Sequence, residues 1–399
     1  MIITLSCSNA GSKTESQFNF SEILNQPPKI EVYLKNLADE NDFIEYKILG
    51  KSEDGAYNIS KIDFFDPETK SNPKPEILIV SAIHGNETTS LYVILKLIDY
   101  LVLEKESERI VNLLKNRNIS IITVANPWGL ANNIRTNDNS VDLNRNFGFA
   151  WQDLPRHGLA PFDQAETAII RDDALNNNYY MNLSFHSGES CISTVWDYIG
   201  TESSAGDPSE YSYEQFSTEY LPNAETVFYL AEKYSNTVNS KGDNRFYPIE
   251  GYDWYACYGT LGDWLFAERG SMPFTIEVSF SKETDDNNLL EKIWGYQKDA
   301  ILNLIETDEN LLKGVLYDAV SLKPVVGKVS LNRISRSYRD PVPYTLFALS
   351  SNEHGGFALF ADTGSYELSV TAEDYEPTTI SITVNSENDQ IEIFLTPNP

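Results

Sequence analysis

Four histidines stand among the 399 residues, and two of them occupy places where chemistry is possible. His84 follows an apolar run of strand length, and Glu87 comes three residues later. His186 closes a second apolar run that begins near Tyr180. Two imidazoles and a carboxylate can supply three ligands to a zinc ion and leave a fourth position for water. A histidine at a strand end can equally be a hydrogen-bonded structural residue, and this pair alone does not decide between the two. Between them runs a long polar stretch, residues 126–147, which carries Arg135, Asn144 and Arg145. A planar guanidinium grips a carboxylate in two-pronged fashion, as a ligand with a free carboxylate requires. Surface arginines in a loop are the alternative. His157 and His354 lie in no comparable setting.

Apolar segments of strand length alternate with helical patterns from about residue 30 to 308. Residues 76–83, 119–125, 180–185 and 274–280 read as strands, the first nearly all apolar and so buried on both faces. Residues 90–105, 224–240 and 288–307 carry apolar side chains at helical spacing. Alternation of this kind predicts an α/β domain on a mixed sheet, and ligands of such sheets bind outside the carboxyl ends of the strands. After about residue 310 short alternating stretches separated by turn residues predict a small β-sandwich. The expected division is a tail or lipoprotein-type signal remnant over 1–18, a catalytic domain over 19–309 and an all-β domain over 310–399.

Composition narrows the partners. Apolar residues make up 41% and charged residues 22%, as in soluble globular proteins. A net charge of −29 repels nucleic acid and anionic membranes and leaves a solvated acidic surface. No apolar run is long enough for a transmembrane helix. Three cysteines are too few for a disulfide scaffold; Cys191 and Cys257 could pair or be separately buried. The segment before Cys7 resembles the end of a bacterial lipoprotein signal. A lipid anchor at Cys7 and an exported, periplasmic or cell-surface location are expected on that ground.

His84-Gly-Asn-Glu87, the Asn126-Pro-x-Gly129 opening, Val141-Asp-Leu-Asn-Arg-Asn-Phe147 and Ser184-Phe-His-Ser187 resemble, in order, the blocks of the carboxypeptidase A/B-like zinc metallocarboxypeptidases. Further blocks follow: residues 161–167, then Asp253, Trp254, Tyr255, Gly259, Asp263 and Trp264, then Thr275-Ile-Glu277. The final residues resemble the transthyretin-like domain of the carboxypeptidase N/E/D branch. The resemblance implies a mixed-sheet α/β zinc carboxypeptidase domain followed by a small all-β transthyretin-like sandwich. It implies one zinc ion per chain, held by His84, Glu87 and His186, with Asp142 orienting a ligand imidazole. Asn144 and Arg145 would clamp the terminal carboxylate of a peptide. Arg135 would stabilise the oxyanion, Tyr255 would cap the substrate, and Glu277 would act as general base and acid. Outside the resemblance, Glu277 reads as a glutamate on the open face of a strand and Tyr255 as part of an aromatic cluster.

Asp197 falls eleven residues after His186, the spacing at which the basic-specific branch places its pairing aspartate. Gly262 would widen the pocket. A preference for C-terminal Lys or Arg is expected, with the insertion between Tyr198 and Pro222 able to reshape the rim. Two alternatives accompany this reading: an amidase acting on cell-wall stem peptides, and a non-catalytic peptide-binding relative.

Overall fold

A computed structural model describes residues 19–198, 221, 223–333, 345–351, 353–385 and 390–399. Cys7 and most of the insertion after Tyr198 lie outside them. After helix α1 (Pro27–Glu40), a hairpin of β1 (Ile44–Lys51) and β2 (Asn58–Phe64) begins the main sheet. It continues with β3 (Glu76–Ser81), β4 (Asn118–Ile122), β5 (Tyr179–His186), β6 (Glu189–Thr194), β7 (Tyr247–Glu250) and β8 (Met272–Ser279). The order across the sheet is β1-β2-β4-β3-β5-β8-β6-β7. The central strands β4, β3, β5 and β8 are mutually parallel, while β2 and β6 run antiparallel to their inner neighbours. The sheet is therefore mixed, as the alternating pattern predicts.

Continuous apolar sequence explains the centre of the sheet. From Ile77 to Ser81 strand β3 is buried, and β5 is buried along its whole length, because helices cover both faces of a parallel sheet. On one side lie α2 (Thr88–Leu103), α6 (Ala224–Ser240) and α9 (Asn287–Glu306), joined through one core with Leu91, Ile94, Val227, Leu230, Ile301 and Ile305. On the other, α8 (Leu261–Arg269) seats Trp264 and Leu265 against Leu78, Val80 and Phe147. The helix expected from residue 90 begins at Thr88, directly after Glu87.

The chain ends in two smaller sheets. One, of order β11-β10-β13-β14, comprises Leu346–Leu349, Lys328–Arg333, Gly364–Thr371 and Thr378–Val384; the other, β12-β9-β15, comprises Gly356–Phe360, Leu311–Asp318 and Ile391–Leu395. Along β13 and β15 buried residues alternate with more exposed ones, and both sheets share the main buried cluster through Leu316, Leu331, Leu359, Leu368 and Leu395.

One carboxylate clasps this all-β region to the helices. Asp362, 3% exposed, accepts the Thr226 N–H at 2.8 Å, the Thr226 hydroxyl at 2.8 Å and the Glu225 N–H at 3.3 Å. It thereby caps α6 from outside, where the side chain of the helix's own N-cap residue Asn223 makes no capping bond. Asp362→Ala should lower unfolding free energy by about 2 kcal/mol, because buried N–H groups lose their acceptor. Urea denaturation with an unchanged m-value would measure this, and a loss below about 0.5 kcal/mol would show that water replaces the carboxylate.

Candidate active site

The carboxyl ends of the parallel strands carry the functional side chains. Past β3, Ala82 adopts a left-handed backbone with φ 50°, and its carbonyl accepts the Asn126 N–H at 3.0 Å. The turn that follows packs so closely on Gly129 that a Cβ at Gly85 would collide with backbone atoms, so only glycine fits. His84 and Glu87 flank this turn. His186 ends β5, and the register of β5 with β8 sets it beside Glu277. The loop after α4 (Pro127–Asn132) contributes Arg135, Asp142, Asn144 and Arg145.

His84, Glu87 and His186 are 3%, 3% and 2% exposed and converge on one point. His84 Nδ1 lies 3.1 Å from Glu87 Oε1, His186 Nδ1 lies 3.0 Å from Glu87 Oε2, and the two Nδ1 atoms are 3.2 Å apart. Each ring is fixed from behind: His84 Nε2 meets Asp142 Oδ1 at 3.0 Å and His186 Nε2 meets the Ser184 hydroxyl at 2.9 Å. A neutral imidazole that donates its Nε2 proton to Asp142 turns a lone pair at Nδ1 toward the shared point. Lone pairs facing one another across that gap call for a cation between them. Ligands about 2.0–2.1 Å from a tetrahedral zinc stand roughly 3.3 Å from each other, so the donor set and its spacing fit that metal.

The electrostatics agree. Burial works against the charge on Glu87, yet His84 and His186 hold its carboxyl well below the usual carboxylate range. Burial likewise opposes Asp142, and His84 and Arg135 override it. For His84 burial is outweighed by the Glu87 and Asp142 charges, which raise it, whereas burial lowers His186. With the protein's own charges alone, burial and then the Glu87 charge push Glu277 up to about 8. Its Oε2 is buried and has no hydrogen-bond partner.

A cleft of about 120 Å³ gathers nine of the ten residues singled out from the sequence. They are His84, Glu87, Arg135, Asn144, Arg145, His186, Asp197, Tyr255 and Glu277, and Asp142 stands behind His84. Asn144 spends its side-chain oxygen on the Leu261 N–H at 2.9 Å, which leaves its NH₂ for the cleft. Arg135 is held by Asp142 Oδ2 at 2.8 Å and reaches Glu87 Oε1 at 3.4 Å. Tyr255 is 46% exposed at the rim, its ring edge-on to Trp254 at 4.7 Å. The Asp197 carbonyl accepts the Cys257 N–H at 2.8 Å, tying the aspartate to the tyrosine loop. Cys191 and Cys257 are separate buried thiols, so the pairing left open by the sequence does not occur. His157 and His354 do not line the cleft.

The site also holds residues to which the sequence pointed no role, Lys282, Ser184 and Ser193 among them. Lys282 Nζ lies 3.1 Å from Glu87 Oε1 across 195 residues of chain, and no local spacing announces it. Ser184 stood inside a quoted block but received no role.

Residues 30–301 match the family model described as zinc carboxypeptidase. Among curated proteins the chain is 24% identical over 339 residues to carboxypeptidase SOL1 of Arabidopsis thaliana, covering 84% of this chain and 64% of that protein. It is 23% identical over 387 residues to carboxypeptidase D of Mus musculus, covering 90% of this chain and 26% of that protein. The chain thus spans less than two thirds of the length of either. Among solved structures, carboxypeptidase A of Helicoverpa armigera superposes with a TM-score of 0.57 at 18% identity, over 71% of this chain and 75% of that one. This likeness establishes the fold.

Proposed function

The chain belongs to the zinc carboxypeptidase family, and from that premise we propose that it hydrolyses the last peptide bond of peptides, with a preference for basic C-terminal residues. The observation that carries the reading is the convergence of His84, Glu87 and His186 beside Glu277, in the same cleft as Arg145 and Asn144. His84, Glu87 and His186 would hold a zinc ion, which would supply Lewis acidity toward water and the scissile carbonyl. Arg145 and the Asn144 amide hold the terminal carboxylate of the substrate and so set its last bond beside Glu277. Glu277 takes the proton of the attacking water and passes it to the leaving amine. Arg135, held by Asp142, meets the negative charge that develops on the carbonyl oxygen. Tyr255 closes over the substrate from the rim. The presence of Glu277, a proton acceptor with an unpaired oxygen, favours an enzyme over a non-catalytic binder.

Asp197 lies in the cleft near Arg145 and takes the basic side chain. Asp197→Ala should cut kcat/KM for peptides ending in Arg or Lys about a hundredfold. The assay compares peptides ending in Arg, Lys, Leu, Glu and diaminopimelate. Faster release of Leu than of Lys or Arg by the parent enzyme would sink the basic preference.

The same reading sets the domain boundary at 309/310, takes the terminal sheets as a transthyretin-like module and has the protein exported with a lipid at Cys7. Its support is the sequence around Cys7 and the arrangement of the terminal strands. No helix among the described residues is long and apolar enough to cross a membrane.

A further inference from the structure

The amino ends of the central strands, a strand's length from the histidines, border a second cavity of about 300 Å³, within the size range of small-molecule sites. It lies at the seam between the main sheet and the terminal sheets. Lys47, Lys61, Asp63, Glu76 and Asn118 reach it from β1 to β4, and Glu353 from the turn before β12. Across the same seam the Asn178 amide donates to the Ser350 carbonyl.

Its charges do not balance. Lys61, 3% exposed, pairs with Asp173 of the helix Ala165–Asn176 at 2.7 Å. Lys47 pairs with Asp63 at 3.3 Å, and Lys70 with Glu45 at 3.0 Å. Each lysine of the lining is thus matched by a carboxylate, and Glu76 and Glu353 are left over. Among the described residues, His354 Nε2 at 3.9 Å is the one ion-pair partner of Glu76, and burial favours the neutral form of that imidazole. Glu353 has none among them. Glu76 opens β3 opposite Asn118 of β4, so their side chains share a face. The Asn118 Oδ1 is buried without a hydrogen-bond partner, a cost that buried acceptors ordinarily avoid. The Glu76 side chain is 21% exposed, open enough to meet a ligand. Two spare carboxylates beside an unpaired amide oxygen call for a donor that carries positive charge.

A metal ion fits poorly. Calcium and magnesium need roughly six or more oxygens converging on one point. Among the described residues, His84, Glu87 and His186 alone bring three ligating groups that close together. We propose that the cavity binds a small aliphatic diamine, one ammonium on Glu76 and Asn118 and the other on Glu353, so that the ligand ties the main sheet to the terminal sheets. A net charge of −29 favours the approach of such a dication. The reaction centre at the opposite ends of the strands takes no part, and the site stands whether or not the chain cleaves peptides. Burial, and then the charge of Asp63, push Glu76 up to about 7; Lys61 opposes the rise, and Glu353 and Asp173 add to it. A bound ammonium supplies the missing counter-charge.

Calorimetry and thermal melting of the full zinc-loaded chain with 1,5-diaminopentane test it. The diamine should bind with one-to-one stoichiometry, and pentylamine, with a single charge, about tenfold more weakly. Saturating diamine should raise the melting temperature by several degrees. Glu76→Gln and Glu353→Gln remove unpaired charges and should fold. Each should weaken binding about tenfold and leave peptide hydrolysis without diamine unchanged. Glu76 is ionised above its raised value and neutral below it, so binding should be about tenfold weaker at pH 6 than at pH 8. Asp197→Ala separates this cavity from the active-site cleft: binding that survives it upholds the proposal, and binding lost with it overturns it. Absence of binding, or binding untouched by both glutamate variants, would also overturn it. So would stabilisation by calcium but not by diamine that Glu76→Gln removes.

Discussion

Glu277→Gln should lower kcat on a good peptide substrate by about a thousandfold, within the range for loss of a general base, and leave zinc content at one per chain. Glutamine has nearly the shape of glutamate but cannot accept the proton. Glu277 lies outside the convergent His84, Glu87 and His186 group, so metal binding has no reason to change. The fold should not suffer either. Glu277 is 8% exposed with one oxygen lacking any hydrogen-bond partner, so the carboxylate costs stability where it stands. The variant should melt no lower than the parent. A rise in KM with kcat intact would show that Glu277 binds substrate and does not move protons.

His186→Ala should abolish activity and reduce bound zinc to well below one per chain, and chelation of the parent should give the same loss reversibly. Three ligands are the minimum with which a catalytic site holds zinc and keeps a position open; here they are buried and face one another. Metal bound only by the folded state stabilises it by about 4 kcal/mol when free metal exceeds the dissociation constant a thousandfold. The chelated protein should therefore melt several degrees lower, a shift reversed by zinc. It should still fold, because Lys282 and Arg135 both reach Glu87 Oε1 and give that carboxylate a counter-charge. Full activity after exhaustive chelation would remove zinc from the chemistry.

Much of this site is written locally. Glu87 comes three positions after His84, and each histidine follows or ends an apolar run, so both can be placed at strand ends before any fold is known. The central strands announce themselves because burial on both faces requires continuous apolar sequence. The family pattern carried Asp142, which reaches His84 across 58 residues, and it carried Glu277, whose position mid-strand says nothing by itself.

Other features come from sheet order and register. Lys282 meets Glu87 because the segment after β8 returns over the start of α2, where the Thr89 N–H binds the Lys282 carbonyl at 3.0 Å. Ser193 faces the cleft because β6 pairs with β8 in one register, and a slip of one residue would turn it away. The Asp362 clasp joins residues 136 apart, across two layers that no spacing relates. Apolar periodicity and motif spacing are local, so they survive in the linear chain. Which distant strand lies beside which depends on the packing of the whole core, and the groups that crowd Glu87 and cap α6 are consequences of that packing.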